Sequence, residues 1–269
     1  MPVIYSALLP HSPLLLKPIG KENTEKLEKT LNSYQTVIEK IKQKKIDSIV
    51  LITPHAKKDN NKHYTNNSLK YKVDLKEFGD LASRLDIEPD LPLFQKLQDS
   101  EHVNKLVEAY QEEILDYGSA IVLYLIISQV SNLKALIISS SDNDNQENFD
   151  FGKKLNQALK KSGQNIAVIA SGDMSHCVSK KSPQGYNPKG VKFDNQVKEI
   201  ISQNTDIDKK ILAFDQNLIT KAKECALKPL LLALGVLSDY NYDTKVLSYQ
   251  DDFGIGYLAA DFDNLEIKN

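Results

Sequence analysis

The stretch Asp47-Ser-Ile-Val-Leu-Ile-Thr-Pro-His-Ala56 is a short run of apolar residues, rich in β-branched side chains, that stops at a proline and is followed at once by an imidazole. A continuous apolar run of this length suits a strand buried on both faces, as in a parallel sheet. The same arrangement occurs twice more. Val3-Ile-Tyr-Ser-Ala-Leu-Leu9 runs into Pro10-His11, and Ile166-Ala-Val-Ile-Ala170 runs into Ser171-Gly-Asp-Met-Ser-His176. In open parallel α/β sheets, ligands bind beyond the carboxyl ends of the strands, so three separate segments would deliver His11, His55 and His176 to one rim.

Between the first two of these strands, Thr24 to Lys44 places Leu27, Leu31, Tyr34, Val37, Ile38 and Ile41 at helical spacing among lysines and glutamates. Strand, amphipathic helix, strand is the pattern of a parallel crossover unit. Residues 57 to 80 are polar, with Leu69 to Leu75 alternating like an exposed strand or hairpin arm, and Leu91 to Tyr110 returns to helical spacing. A buried helix is predicted from Ile121 to Val130, a strand from Lys134 to Ser139 and a helix from Phe149 to Lys161. Further helices are predicted over Phe193 to Asn204, Asp208 to Phe214 and Glu224 to Leu237, the last kinked or restarted at Pro229, which cannot donate a helical hydrogen bond. Two closing strands, Lys245 to Tyr249 and Gly254 to Ala259, complete the reading. Nothing in composition marks a boundary, so residues 1–269 are expected to form a single α/β domain.

The totals exclude several classes. A formal net charge of −2 gives no field to steer nucleic acid, and Arg84 is the only arginine, which removes the side chain best suited to bidentate phosphate or guanine contacts. Two cysteines, Cys177 and Cys225, are too few for a disulfide framework. With no signal-like pattern before Val3 and no apolar run near the roughly 20 residues a bilayer requires, a cytoplasmic location is expected.

Two neutral imidazoles with one carboxylate make the facial set that holds Fe(II) and leaves positions open. Glu224 is placed well for that role, yet a glutamate in a first helical turn also offsets the helix dipole, and spacing alone does not select it over Asp116 or Asp173. Cys225, beside it, is read as a small buried helix residue, although a thiol there could also ligate or be oxidised. Asp142 to Glu147 lacks the glycine and the bidentate glutamate of a calcium loop and is read as a solvated turn. His63 and His102 lie in polar segments expected to be exposed and are assigned no role. Cys177 has no orienting third group.

Six motifs in order carry a resemblance: Pro10-His-Ser-Pro13, Thr53-Pro-His-Ala56, Leu115-Asp-Tyr-Gly118, Ser171-Gly-Asp-Met-Ser-His176, Lys223-Glu-Cys-Ala-Leu-Lys-Pro229 and Phe253-Gly-Ile-Gly-Tyr257. Together they resemble the catalytic subunit of class III extradiol (LigB-like) ring-cleavage dioxygenases, and within that family the Memo-like dioxygenase domain of the AmmeMemoRadiSam system. The resemblance implies a three-layer αβα sandwich with a largely parallel or mixed central sheet. It implies Fe(II), with zinc as the alternative, held by His11, His55 and Glu224, with His176 as acid/base and Asp173 holding its loop. It also implies an aromatic or catecholic substrate with O2, a radical SAM enzyme as partner and a homo-oligomer.

One departure stands out. Where the family commonly has Asp-His-Gly, this chain has Asp116-Tyr117-Gly118, and a phenol donates a hydrogen bond without relaying protons near neutral pH. Tyr117 therefore joins the candidate catalytic residues while weakening the expectation of ring cleavage. Three readings follow: an extradiol oxidoreductase, a Memo-like metal-binding protein without ring-cleaving activity, and a zinc hydrolase using the same ligands. Without tryptophan, Tyr186 and Phe193 are the aromatic residues near the loop after His176.

Overall fold

A computed structural model describes residues 2–57 and 62–268. The chain runs β1 (Val3–Leu9), α1 (Lys17–Gly20), α2 (Glu28–Gln43), β2 (Ser48–Thr53), β3 (His63–Asn66), β4 (Tyr71–Asp74), β5 (Arg84–Ile87), α3 (Leu91–Gln98), β6 (Val107–Tyr110) and α4 (Tyr117–Ile127). It continues through β7 (Lys134–Ser139), α5 (Asn145–Leu159), β8 (Ile166–Ser171), α6 (Pro188–Gln203), α7 (Ile207–Leu212), α8 (Gln216–Ala222), α9 (Leu227–Val236), β9 (Tyr240–Gln250) and β10 (Tyr257–Ile267).

Eight strands form one mixed sheet in the order β6-β3-β7-β2-β8-β1-β10-β9. Its centre, β7-β2-β8-β1, is parallel throughout. The β9–β10 hairpin joins β1 antiparallel on one side, and β3 joins β7 antiparallel on the other. The small β4–β5 pair stands apart as a second sheet.

The apolar runs split by period two, as side chains alternate across a strand. Val50, Ile52, Val168 and Ala170 face a core closed by α3, α5, α6 and α9, whereas Ile49, Leu51, Ala167 and Ile169 face a core closed by α2 and α4. That is the three-layer αβα sandwich. Since β8 lies between β2 and β1, the loops after these three strands meet at one end of the sheet.

Several boundaries depart from the sequence reading. The segment expected as one helix from Leu91 to Tyr110 is helical only to Gln98 and ends as strand β6, pairing with β3. Its apolar positions Leu93, Leu97, Val103 and Val107 are all buried, so the spacing reported burial without reporting backbone form. Helix α5 begins four residues before Phe149, where the Asp144 side chain accepts the Glu147 amide as an N-cap. The turn at 142–147 is thus partly a helix start. Tyr71 and Val73 of β4 are buried, not exposed. Of the polar stretch 57–80, residues 58–61 lie outside the described residues. Phe193 is fully buried in α6 and offers no surface to a substrate, whereas Tyr186 is exposed. No described helix is long and apolar enough to cross a membrane.

Candidate metal centre

His11 follows β1 and is fully buried. Its backbone is fixed on both sides: the Tyr34 hydroxyl donates to the Pro10 carbonyl at 2.6 Å, and the His11 amide donates to Asp173 Oδ1 at 2.9 Å. Its ring is fixed by Ser171, the last residue of β8. The Ser171 hydroxyl donates to the Gly118 carbonyl at 2.9 Å, which consumes its one proton. It therefore accepts from His11 Nδ1 at 2.8 Å. In the neutral imidazole this places the lone pair on Nε2, and burial, followed by the neighbouring His55 and His176, holds His11 well below the usual imidazole range.

His55 follows β2 and meets His11 with Nε2 3.1 Å from Nε2. Thr53 orders this corner by accepting the His55 amide at 3.2 Å and donating to Asp116 Oδ1 at 3.0 Å. Asp116 in turn caps α4 through the Ser119 amide and hydroxyl, and burial raises its pKa. Tyr117, the first residue of α4, stacks on His55 with centroids 4.5 Å apart, and its hydroxyl lies 2.8 Å from His55 Nε2. Gly118 is where the two imidazoles leave no room, because a Cβ there would sit 3.0 Å from the His55 ring and 3.2 Å from His11 Nδ1.

The third strand end, Gly172 to His176, is laced to the segment between α8 and α9. The Cys225 amide donates to the Asp173 carbonyl at 3.0 Å, the Asp173 amide donates to Cys225 Sγ at 3.2 Å, and the His176 amide donates to the Ala222 carbonyl at 3.1 Å. This lacing brings Cys225 Sγ to 3.5 Å from His11 Nε2. Among the described residues, His11, His55 and Cys225 form the one group whose ligand atoms all lie within 4.8 Å of one another. Glu224 is not in it. Its carboxylate instead accepts the Leu227 amide at 2.7 Å, at the start of α9, and burial pushes its pKa up to about 7. Cys225 stands before α9 and not within a helix, so a thiol read as a buried helix residue occupies the third corner.

Asp173 Oδ2 lies 3.9 Å from His11 Nε2, and burial pushes this carboxyl up to about 7. His176 Nδ1 donates to the Lys223 carbonyl at 2.6 Å, leaving Nε2 as its basic atom, and burial lowers its pKa. His63, expected on an exposed segment, is buried on β3 away from this centre, while His102 is exposed.

The donor set fits a metal ion. His11 Nε2 and His55 Nε2 lie 3.1 Å apart, a distance that two bonds of about 2.0–2.1 Å to one cation can span. A cavity of about 770 Å³ opens beside His55, lined by Lys57, Asn66, Tyr110, Glu112 and Asp116 among others. That is ample for a small organic molecule.

The family described as "Catalytic LigB subunit of aromatic ring-opening dioxygenase" matches residues 5–260. Protein CA_C1420 of Clostridium acetobutylicum is 27% identical over 264 residues, which are 93% of this chain and 55% of that protein; the chain spans about half the length of this relative. A crystal structure of uncharacterized protein JW3007 from Escherichia coli K12 superposes with a TM-score of 0.69 and 17% identity, covering 96% of this chain and 99% of that one. At that identity the likeness concerns the fold.

Proposed function

Because this chain belongs to the LigB family of catalytic subunits of aromatic ring-opening dioxygenases, we propose that it is a dioxygenase-like metalloprotein whose metal is held by His11, His55 and Cys225. The observation that carries the reading is the position of Cys225 Sγ, 3.5 Å from His11 Nε2, while the neighbouring glutamate caps α9. A bound metal would supply Lewis-acid or redox chemistry to a substrate seated beside it. Thiolate and imidazole ligands suit zinc or copper(I) better than Fe(II), which prefers the carboxylate-containing facial set.

The chain's own groups take the remaining roles. The cavity beside His55 receives an aromatic or catecholic molecule, and the Tyr117 hydroxyl stands behind it, 2.8 Å from His55 Nε2. His176, held neutral by burial and oriented through Nδ1, accepts a proton at Nε2. Asp173 fixes the His11 loop through its amide.

A second reading, Fe(II)-dependent extradiol ring cleavage, has Glu224 as the third ligand in place of Cys225. Family membership favours it; the phenol of Tyr117 in the family's histidine position speaks for a Memo-like protein without ring cleavage, acting beside a radical SAM enzyme. The test is anaerobic metal analysis of wild type, Cys225→Ser and Glu224→Gln, then oxygen uptake with a panel of catechols. Metal lost in Cys225→Ser and kept in Glu224→Gln supports the proposed centre. The reverse pattern, with oxygen consumed and a yellow ring-fission product formed, overturns it in favour of the extradiol enzyme.

A further inference from the structure

His63 is 5% exposed, on the four-residue strand β3, and its ring stacks on Phe151 of α5 with centroids 3.8 Å apart and planes 10° from parallel. Its Nδ1 lies 3.1 Å from the Ser139 carbonyl, an acceptor only, so Nδ1 carries the proton and Nε2 the lone pair. Among the described residues Nε2 has no hydrogen-bond partner, yet it is not among the polar atoms sealed from solvent without one. It therefore opens into the cavity that His63 lines, about 240 Å³, whose other walls include Asn143, Glu147, Asp150 and Lys154. None of these residues lines the cavity beside His55.

We propose that His63 is the inner ligand of a second divalent transition-metal site, with Glu147 and Asp150 supplying carboxylates from α5. An imidazole that donates its other ring N–H to a backbone carbonyl has the tautomer and orientation typical of a metal ligand. Burial also pushes its pKa down to about 4, so no proton competes for Nε2 at neutral pH. Glu147, Asp150, Phe151 and Lys154 fall at i, i+3, i+4 and i+7, which places both carboxylates on the helix face that Phe151 turns toward His63.

The carboxylates are not yet gathered around Nε2, since the only tightly clustered group among the described residues is the one at His11. Glu147 is exposed, and among the described residues Asp150 is engaged by Lys153 at 3.7 Å and by Gln146 at 3.1 Å. Such contacts are weak enough for an ion to displace. Lys154 opposes the ion, but its exposed, flexible stem lets the ammonium withdraw.

Zinc titration of the chelator-stripped full chain, by calorimetry and competition with a chromophoric chelator, tests this. The wild type is expected to bind two equivalents of unequal affinity. The weaker one should survive His11→Ala/His55→Ala, weaken by about tenfold or more in Glu147→Gln/Asp150→Asn, disappear in His63→Gln and tighten in Lys154→Ala. Should His63→Gln fail to fold, the surface double variant decides. A single equivalent in the wild type, or a second one untouched by Glu147→Gln/Asp150→Asn, overturns the assignment. Because the two centres share no ligand, loss of the first in any variant leaves the second separately readable.

Discussion

Replacing Ser171 by alanine isolates what holds His11 in a metal-binding tautomer. The hydroxyl does two things at once: it donates to Gly118 at 2.9 Å and accepts His11 Nδ1–H at 2.8 Å. Alanine deletes both bonds, leaves a buried ring N–H unpaired and removes the reason for the lone pair to sit on Nε2. Loss of one buried hydrogen-bond partner costs about 1–3 kcal/mol of folding stability. Loss of an outer partner of a metal-bound histidine costs about 10–100-fold in metal affinity, which is roughly 1.4–2.7 kcal/mol. The two effects separate experimentally: urea denaturation of the metal-free protein reads the first, and zinc or cobalt competition against a chelator of known affinity reads the second. The Ser171→Thr variant, which keeps a hydroxyl, should recover most of the affinity. Wild-type affinity in a destabilised Ser171→Ala would mean that Ser171 braces the fold without orienting His11, and the tautomer argument would fall.

Tyr117→Phe removes the hydroxyl that competes for His55 Nε2, so metal should bind several-fold more tightly, about 1 kcal/mol, in the same competition assay. Gly172→Ala would set a Cβ 2.4 Å from Ala226 Cα, prising the Asp173 loop from Cys225; calorimetry should show about 1–3 kcal/mol of destabilisation together with weakened metal binding. Asp173, with a folded pKa of about 7 against a model-peptide value near 3.8, contributes stability that is complete below about pH 4 and lost as pH rises through 7. Comparing metal-free Asp173→Asn with wild type by urea titration at several pH values should therefore show the variant gaining relative to wild type between pH 4 and 7; a constant difference would contradict the shift.

How much of this could be seen in the sequence depended on the scale of the signal. β2 and β8 are buried at all six positions and β1 at all but Ile4, and a short, β-branched apolar run of that kind is what a central strand covered on both faces produces. The imidazoles at their ends were visible for the same reason. β3 and β6 are four residues long and hide in polar segments, so His63 could not be recognised as buried. What buries it is Phe151, 88 residues away in the chain, and the Ser139 carbonyl on the neighbouring strand, and no local pattern carries either contact.

The choice between Glu224 and Cys225 was hidden for a sharper reason. Helical spacing treats Glu224 to Leu237 as one element, in which position along the helix would decide what faces the sheet. The backbone instead turns through a left-handed residue at Lys223, φ 55°, and α9 starts only at Leu227. Pro229 falls in its first turn, where a missing N–H breaks no helical bond, so the proline marks a start and not a kink. Glu224 and Cys225 therefore lie on non-helical chain, where helical position does not decide what each side chain faces. The Cys225 amide bond to the Asp173 carbonyl and the Glu224 carboxylate bond to the Leu227 amide fix which side each takes. The identity of the third ligand is thus a question about one short turn, and the paired Cys225→Ser and Glu224→Gln metal analyses address it directly.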